Sequence, residues 1–199
     1  RLVDERAANL DLIIIRESTE GLFYSAAVHG RTRFDGDDAV YETLRISRGI
    51  SERLHRFAFA LTQRRQERKG RPGNLTCVDK ANVFASMAFF RKIFDEISVG
   101  YNYVDAMALD LVRKPWEFDV MVTENMFGDI LSDLAGGLVG GMGIAPCGEI
   151  GDTIGLFQPA HGSAPDIMGQ DKANPLAAIL SGALMLDYLA DKRDIAGLA

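Results

Sequence analysis

Cysteine is scarce: Cys77 and Cys147 are the two in 199 residues. They form no CxxC pair and cannot build a disulfide framework, so they read as reduced thiols. A basic surplus is also missing. Lys and Arg total 22 against 28 Asp and Glu, a net charge of −6, which argues against nucleic-acid binding because phosphate contacts need a basic surface. No apolar run is long enough to cross a bilayer. The most apolar stretch, residues 176–186, is broken by Ser181 and Gly182, so no membrane role is expected. The first nine residues are charged and lack the apolar segment of a signal peptide, and the expected compartment is the cytoplasm.

What is present is an ordinary globular balance, 47% hydrophobic and 25% charged, arranged as short apolar segments alternating with helical patterns. Residues 12–15 are a β-branched run ending in Arg16 and Glu17, a buried strand that delivers polar groups at its C-terminal end. Residues 28–34 and 39–46 flank Asp35-Gly36-Asp37-Asp38 and predict a hairpin. Ile46, Ile50, Leu54, Phe57, Ala58 and Leu61 recur at helical spacing. The helix they predict closes in a basic run (Arg64, Arg65, Arg68, Lys69, Arg71) that reads as a solvated, dipole-compensating end. Further strands are expected at 75–78, 101–104 and 118–122, and helices near 84–94 and from about Asp129. Residues 136–155 are rich in glycine and mark a domain crossover. Asn174-Pro175 reads as an N-cap with proline at the first helical position, opening a helix to about Ala190 that is apolar on nearly every side and should be buried.

The sharpest chemical signal is Glu124-Asn125-Met126-Phe127-Gly128-Asp129-Ile130-Leu131-Ser132-Asp133. Asp129 and Asp133 are four apart and share a helix face. Two neighbouring anions suit a hard divalent cation, Mg²⁺ or Mn²⁺, but acidic residues at a helix start also serve the helix dipole, and spacing alone favours that plainer use. A second segment, Gln158-Pro159-Ala160-His161-Gly162-Ser163-Ala164-Pro165-Asp166-Ile167, is a loop of small residues that a ligand can approach closely. Gly141-Met142-Gly143 begins a dinucleotide glycine motif, yet position 146 is proline, so an ordinary Rossmann fingerprint is absent.

Together these segments resemble the β-decarboxylating dehydrogenase family of the isopropylmalate/isocitrate/tartrate type. Its NxxGDxxSD, HGSAPDI-like and VDKANV elements are all here in the family's order, the last as Val78-Asp79-Lys80-Ala81-Asn82-Val83. Arg16-Glu17-Ser18-Thr19-Glu20-Gly21 resembles its RENTEG element, with serine for asparagine. The resemblance spans essentially the whole chain and implies an α/β fold of two domains: residues 1–138 for dimerisation, metal and substrate, with an intersubunit clasp hairpin near 28–46, and 139–199 as part of an incomplete nucleotide domain. The family pattern extends beyond both ends, so the chain is expected to be truncated and, alone, inactive.

The resemblance also implies roles. Arg16 would grip a substrate carboxylate. Asp129 and Asp133 would hold Mg²⁺ or Mn²⁺, joined by Asp105 from the neighbouring subunit of a homodimer with shared active sites. Lys80, also reaching across, would act at the substrate hydroxyl. His161, Gly162, Ser163, Ala164, Pro165, Asp166 and Asn174 would bind NAD, the Asp166 carboxylate repelling the extra phosphate of NADP. The implied reaction is oxidative decarboxylation of a 2-hydroxy diacid or triacid of the isopropylmalate, isocitrate or tartrate class. The sequence departs from the family at Phe23, where a proton-donating tyrosine is expected. Tyr24 is the replacement candidate, although adjacent strand residues point to opposite faces. Phe23 keeps open an alternative, a non-catalytic or regulatory homologue that binds nucleotide and metal without turnover. Thr19-Glu20-Gly21 leans towards isocitrate and tartrate enzymes.

Overall fold

The structure, a computed structural model, describes residues 5, 8, 10–28, 30–70 and 72–193. The fold is mixed α/β, as expected. Its contacts divide the described residues into two compact units, one up to Leu134 and one from Ala135 onward.

In the first unit the chain runs through β1 (Ile13–Arg16), a single helical turn α1 (Tyr24–Ala27), β2 (Arg33–Asp35) and β3 (Ala39–Tyr41). It continues through α2 (Arg48–Lys69), β4 (Leu75–Asp79), α3 (Ala85–Phe94), β5 (Tyr101–Tyr103), α4 (Val104–Arg113), β6 (Val120–Thr123) and the start of α5 (Asn125–Val139). Four strands form one parallel sheet in the order β1-β6-β4-β5. Parallel neighbours need crossovers, and the intervening helices supply them. Strand residues alternate between faces. Leu75, Cys77, Val120 and Val122 join Ala58 of α2 and Phe90 and Phe94 of α3 in one buried core, while Val78 and Met121 on the other face are also fully buried. The central strands are apolar on both faces, as a covered parallel sheet requires.

β2 and β3 form the expected hairpin around Asp35-Gly36-Asp37-Asp38, but its strands are shorter than the pattern suggested. The flanks spend their hydrogen bonds elsewhere: Thr43 N–H donates to Ser25 Oγ at 2.5 Å, Thr43 Oγ1 to the Arg31 carbonyl at 3.0 Å, and Arg45 bridges Gly21. The hairpin exposes Phe34, Val40 and Tyr41.

α2 ends at Gly70, whose left-handed φ of 60° lets its N–H close the last turn on the Gln66 carbonyl. The basic run is not simply solvated. Arg65 and Lys69 reach the largely buried Asp119 at 2.6 and 2.8 Å, and Asp11 at 2.8 and 2.7 Å. Burial raises the Asp119 carboxyl's pKa, but hydrogen bonds from Arg65 and Lys69 and their charges outweigh it and leave the group below its ordinary range. These pairs fasten the end of α2 to the segments entering β1 and β6. Arg71 lies outside the described residues.

In the second unit, a 3₁₀ turn at Met142–Ile144 leads into an antiparallel hairpin, β7 (Pro146–Ile150) and β8 (Gly155–Pro159). The sequence reading missed this pair. α6 (Leu176–Arg193) packs on it through Phe157 and Tyr188, ring centroids 5.4 Å apart, and through Ser181 Oγ donating to the Gln158 carbonyl at 2.7 Å. Asn174 caps the helix as expected, its Oδ1 accepting from Leu176 N–H at 3.0 Å. α6 is not buried all round: Leu176, Ile179, Leu180, Leu184 and Leu186 are exposed. A helix apolar on every side needs cover on every side, and the hairpin covers one.

His55 of α2 is fully buried, its ring edge-on to Phe90 and Phe94 at 4.4 and 5.3 Å. Burial lowers its pKa from 6.5 to about 4, only partly offset by a hydrogen bond to the Phe90 carbonyl. The unfolded chain therefore takes up a proton that the folded one refuses between pH 6.5 and 4, and stability falls as pH drops through that window, by at most about 1.4 kcal/mol per pH unit. Urea midpoints of the wild type measured from pH 7 to 5 should decline more steeply than those of His55→Leu. Equal slopes would show that His55 is protonated in the fold.

Candidate functional site

The parallel register of β1 and β6 sets Arg16 beside Thr123, so the turn from β6 into α5 begins level with Arg16. Asn125, nearly fully buried, uses both ends of its amide. Its Oδ1 accepts from Arg16 Nε at 2.9 Å and its Nδ2 donates to the Glu20 carbonyl at 3.0 Å. One turn on, Gly128 lies under the Arg16 stem, and a Cβ there would sit 2.6 Å from Arg16 Cγ. The glycine of the motif is thus a seat for the arginine. Arg16 ends in an ion pair with Asp129, whose side chain is half exposed.

α5 begins at Asn125, four residues earlier than expected, because Glu124 caps it: its carboxylate accepts from Phe127 N–H at 2.7 Å and Met126 N–H at 3.1 Å. The first turn carries no acidic residue, so helix-start compensation does not account for Asp129 and Asp133. They lie on one outward face, Asp133 exposed. Oxygen donors on an open face fit a hard, partly hydrated cation. Among the described residues no three His, Cys, Asp or Glu side chains converge on one point, so this face offers two protein carboxylates and leaves further positions to water, substrate or another chain.

Glu17, Glu20 and Glu124 are all buried around this turn. Glu17 accepts from the N–H groups of Thr19 and Glu20 at 2.7 and 2.6 Å. Glu20 accepts from Ser47 N–H at 2.8 Å and pairs with Arg45 at 3.3 Å. Burial holds the Glu124 carboxyl above its ordinary range against the pull of its two N–H donors, with Glu17 adding to the rise. Within Thr19-Glu20-Gly21, Glu20 is turned inward while Thr19 is exposed. None of these roles was assigned from sequence, although Asn125, Gly128 and Glu124 stand inside the motif.

Lys80 and Asp105 emerge at the same edge of the sheet, after β4 and β5. Their side chains form an ion pair at 2.6 Å, Lys80 mostly covered and Asp105 largely exposed. The Lys80 ammonium, helped by backbone N–H groups, holds the Asp105 carboxyl below its ordinary pKa. The structure thus brings Arg16 to Asp129 and Lys80 to Asp105, two pairs on separate strand pairs of one sheet.

Phe23 and Tyr24 stand in a turn and a helical step, not on a strand, and they diverge. The Arg16 guanidinium lies 5.6 Å from the Phe23 ring centroid, whereas the Tyr24 ring meets Arg45 at 5.0 Å and Arg31 at 5.9 Å. In the second unit, residues 160–166 are an exposed loop. His161 Nδ1 lies 2.8 Å from the Gly162 carbonyl oxygen. Ala164 has a left-handed φ of 42° before the 3₁₀ turn Pro165–Ile167, and Asp166 is exposed.

Residues 2–198 match the family model described as isocitrate/isopropylmalate dehydrogenase. The homoisocitrate dehydrogenase of Methanocaldococcus jannaschii is 46% identical over 193 residues, covering 94% of this chain and 52% of that protein. The 3-isopropylmalate dehydrogenase of Moorella thermoacetica is also 46% identical, over 194 residues, with the same coverage. Among solved structures, isocitrate dehydrogenase from Methylococcus capsulatus superposes with a TM-score of 0.81 at 37% identity, covering 92% of this chain and 55% of that one. A β-decarboxylating dehydrogenase from Thermococcus kodakarensis gives 0.78 at 40%, covering 94% and 55%. The chain spans about half the length of the curated relatives it matches.

If Asp129 and Asp133 bind a divalent cation, calorimetric titration with Mn²⁺ should show affinity falling about tenfold or more in Asp129→Asn, the loss expected of a directly coordinating carboxylate. Equal affinity in both proteins would remove the cation from this face.

Proposed function

The chain belongs to the isocitrate/isopropylmalate dehydrogenase family, and from that premise we propose that it is the larger part of the catalytic machinery of an NAD-dependent, metal-dependent β-decarboxylating dehydrogenase. The observation that carries this reading is the pairing of Arg16 with Asp129 over Gly128. A carboxylate-binding fork and a cation-binding carboxylate are held within reach of the same small molecule, as a 2-hydroxy acid requires.

In this reading Arg16 releases Asp129 when substrate arrives and grips a substrate carboxylate through two parallel N–H···O bonds. Asp129 and Asp133 hold the cation. Once it has released a proton to solvent, Lys80 as the neutral amine takes the proton of the substrate hydroxyl, directly or through water, and Asp105 holds the ammonium that re-forms. A bound divalent ion would supply a Lewis acid for the oxygen that becomes a carbonyl. NAD would accept the hydride, with Asp166 meeting its adenosine ribose and the loop from His161 to Pro165 lying along it. Asn174 spends its Oδ1 on the α6 cap and keeps its amide N–H₂ for an adenine. Mg²⁺ or Mn²⁺ suits the all-oxygen donor set. The two pairs lie on separate strand pairs, and we assign them to two active sites shared across a homodimer, Lys80 and Asp105 serving the neighbour's Asp129 and Asp133.

Phe23 favours a second reading, a homologue that binds without turnover, because the ring beside Arg16 has no proton to give. The relatives named above are all dehydrogenases and lend that reading no support. Substrates to compare are isopropylmalate, homoisocitrate, isocitrate, tartrate and malate, assayed on the whole protein with Mn²⁺.

NAD should be preferred to NADP in kcat/KM, since a carboxylate at 166 repels a 2′-phosphate. A preference for NADP would place Asp166 away from the ribose. In the same assay Phe23→Tyr should raise the rate of CO₂ release if proton return to carbon limits turnover. An unchanged rate would mean that Tyr24 or water already returns it.

A further inference from the structure

Resting on the reading of Lys80 as the residue at the substrate hydroxyl, we propose that Arg91 is its positioning residue, acting through Asp79 and the edge strand β5. Asp79 is fully buried and directly precedes Lys80. Arg91 meets its carboxylate with a two-pronged fork, Nε to Oδ2 at 2.7 Å and Nη2 to Oδ1 at 2.6 Å. The same Oδ1 accepts from Ala81 N–H at 2.8 Å, an Asx turn that wraps the backbone around Lys80. The Lys80 carbonyl in turn accepts from Val83 and Phe84 N–H, each at 3.0 Å. The backbone of Lys80 is therefore fixed on both sides, and the first of those fixings depends on where Arg91 holds the Asp79 carboxylate.

Arg91 is itself located by β5. Its guanidinium lies 3.6 Å from the Tyr101 ring centroid and 5.0 Å from that of Tyr103, two residues that pair in register with Cys77 and Asp79. β5 runs directly into α4, which carries Asp105, the partner of Lys80. One planar cation thus ties the end of β4 to the end of β5, and so sets the Lys80 amine relative to the carboxylate that holds its charge. The site needs arginine in particular. A lysine would keep the charge, but neither the parallel N–H pair nor the flat face for the tyrosines.

The test is steady-state kinetics, with thermal melting, on the whole enzyme as wild type, Arg91→Lys, Tyr101→Leu and Lys80→Met. Arg91→Lys should lower kcat about tenfold or more, because small misplacements of a reacting group are costly, while KM changes less than about twofold. Tyr101→Leu, at an exposed edge position, should lower kcat by a smaller factor with KM again little changed, and it decides the matter if Arg91→Lys does not fold. A lower melting temperature with kcat per folded enzyme unchanged would make Arg91 merely structural and overturn the proposal. If Lys80→Met keeps turnover, the role of Lys80 falls and the proposal falls with it. If Lys80→Met is dead while the other two match wild type, only the proposal falls.

Discussion

Parallel register is the constraint on which the rest of the first unit depends. Strands that run side by side in the same direction end level with one another, so whatever follows one strand meets whatever follows its neighbour. Arg16 sits opposite Thr123, and Asp79 sits opposite Tyr103. From the first pairing come Arg16 with Asn125 and Asp129; from the second come Lys80 with Asp105. An antiparallel pairing of the same segments would send these groups to opposite edges. The apolar content of β4 and β6 secures the register from both faces.

Holding Arg16 in place is a matter of polar burial more than of apolar packing. Three carboxylates buried around one turn would be costly if left unpaired, yet each faces N–H groups that no strand or helix uses. Glu17 closes the turn after β1, Glu20 receives the entry to α2, and Glu124 caps α5. Gly21 belongs to the same arrangement: a Cβ there would come within 2.4 Å of Glu124 Oε2, and its φ is 72°. Arg16-Glu17-Ser18-Thr19-Glu20-Gly21 thus mixes one partly exposed arginine that reaches Asp129 with two acids and a glycine turned towards the protein. The acids shape the turn, and the arginine uses it.

That division explains what was legible in the sequence. Elements that bury apolar residues at a fixed period were readable: β4, β6, α2 and α3 fall where periodicity put them, within a few residues. Asn174 was readable as a cap because its side chain bonds its own neighbouring backbone. The start of α5 was not, since Glu124 does the capping and glutamate carries no strong local signature for it. The β7–β8 hairpin was missed because glycine recurs through residues 140–155 and conceals any alternation. The basic end of α2 was misread because its partners, Asp11 and Asp119, lie about fifty residues away in either direction, and sequence spacing cannot reveal a long-range pair. Tyr24 was weighed against a strand geometry that the turn before α1 does not have.

The paired acids of the motif were the hardest to judge from spacing, and the reason is physical. Asp129 and Asp133 at four-residue spacing serve a helix dipole or a cation equally well; only the position of the helix start separates the two uses. With the first turn at Asn125, Asp129 stands a full turn in, where the dipole's pull has largely decayed, and its charge is met by Arg16 instead. Asp133 lies a further turn on, exposed and without such a partner among the described residues. In the reading proposed above, a substrate anion that drew Arg16 away would leave Asp129 open to a cation, so the motion that bound the acid would also complete the place for the metal; the structure itself holds the closed arrangement, with Arg16 on Asp129.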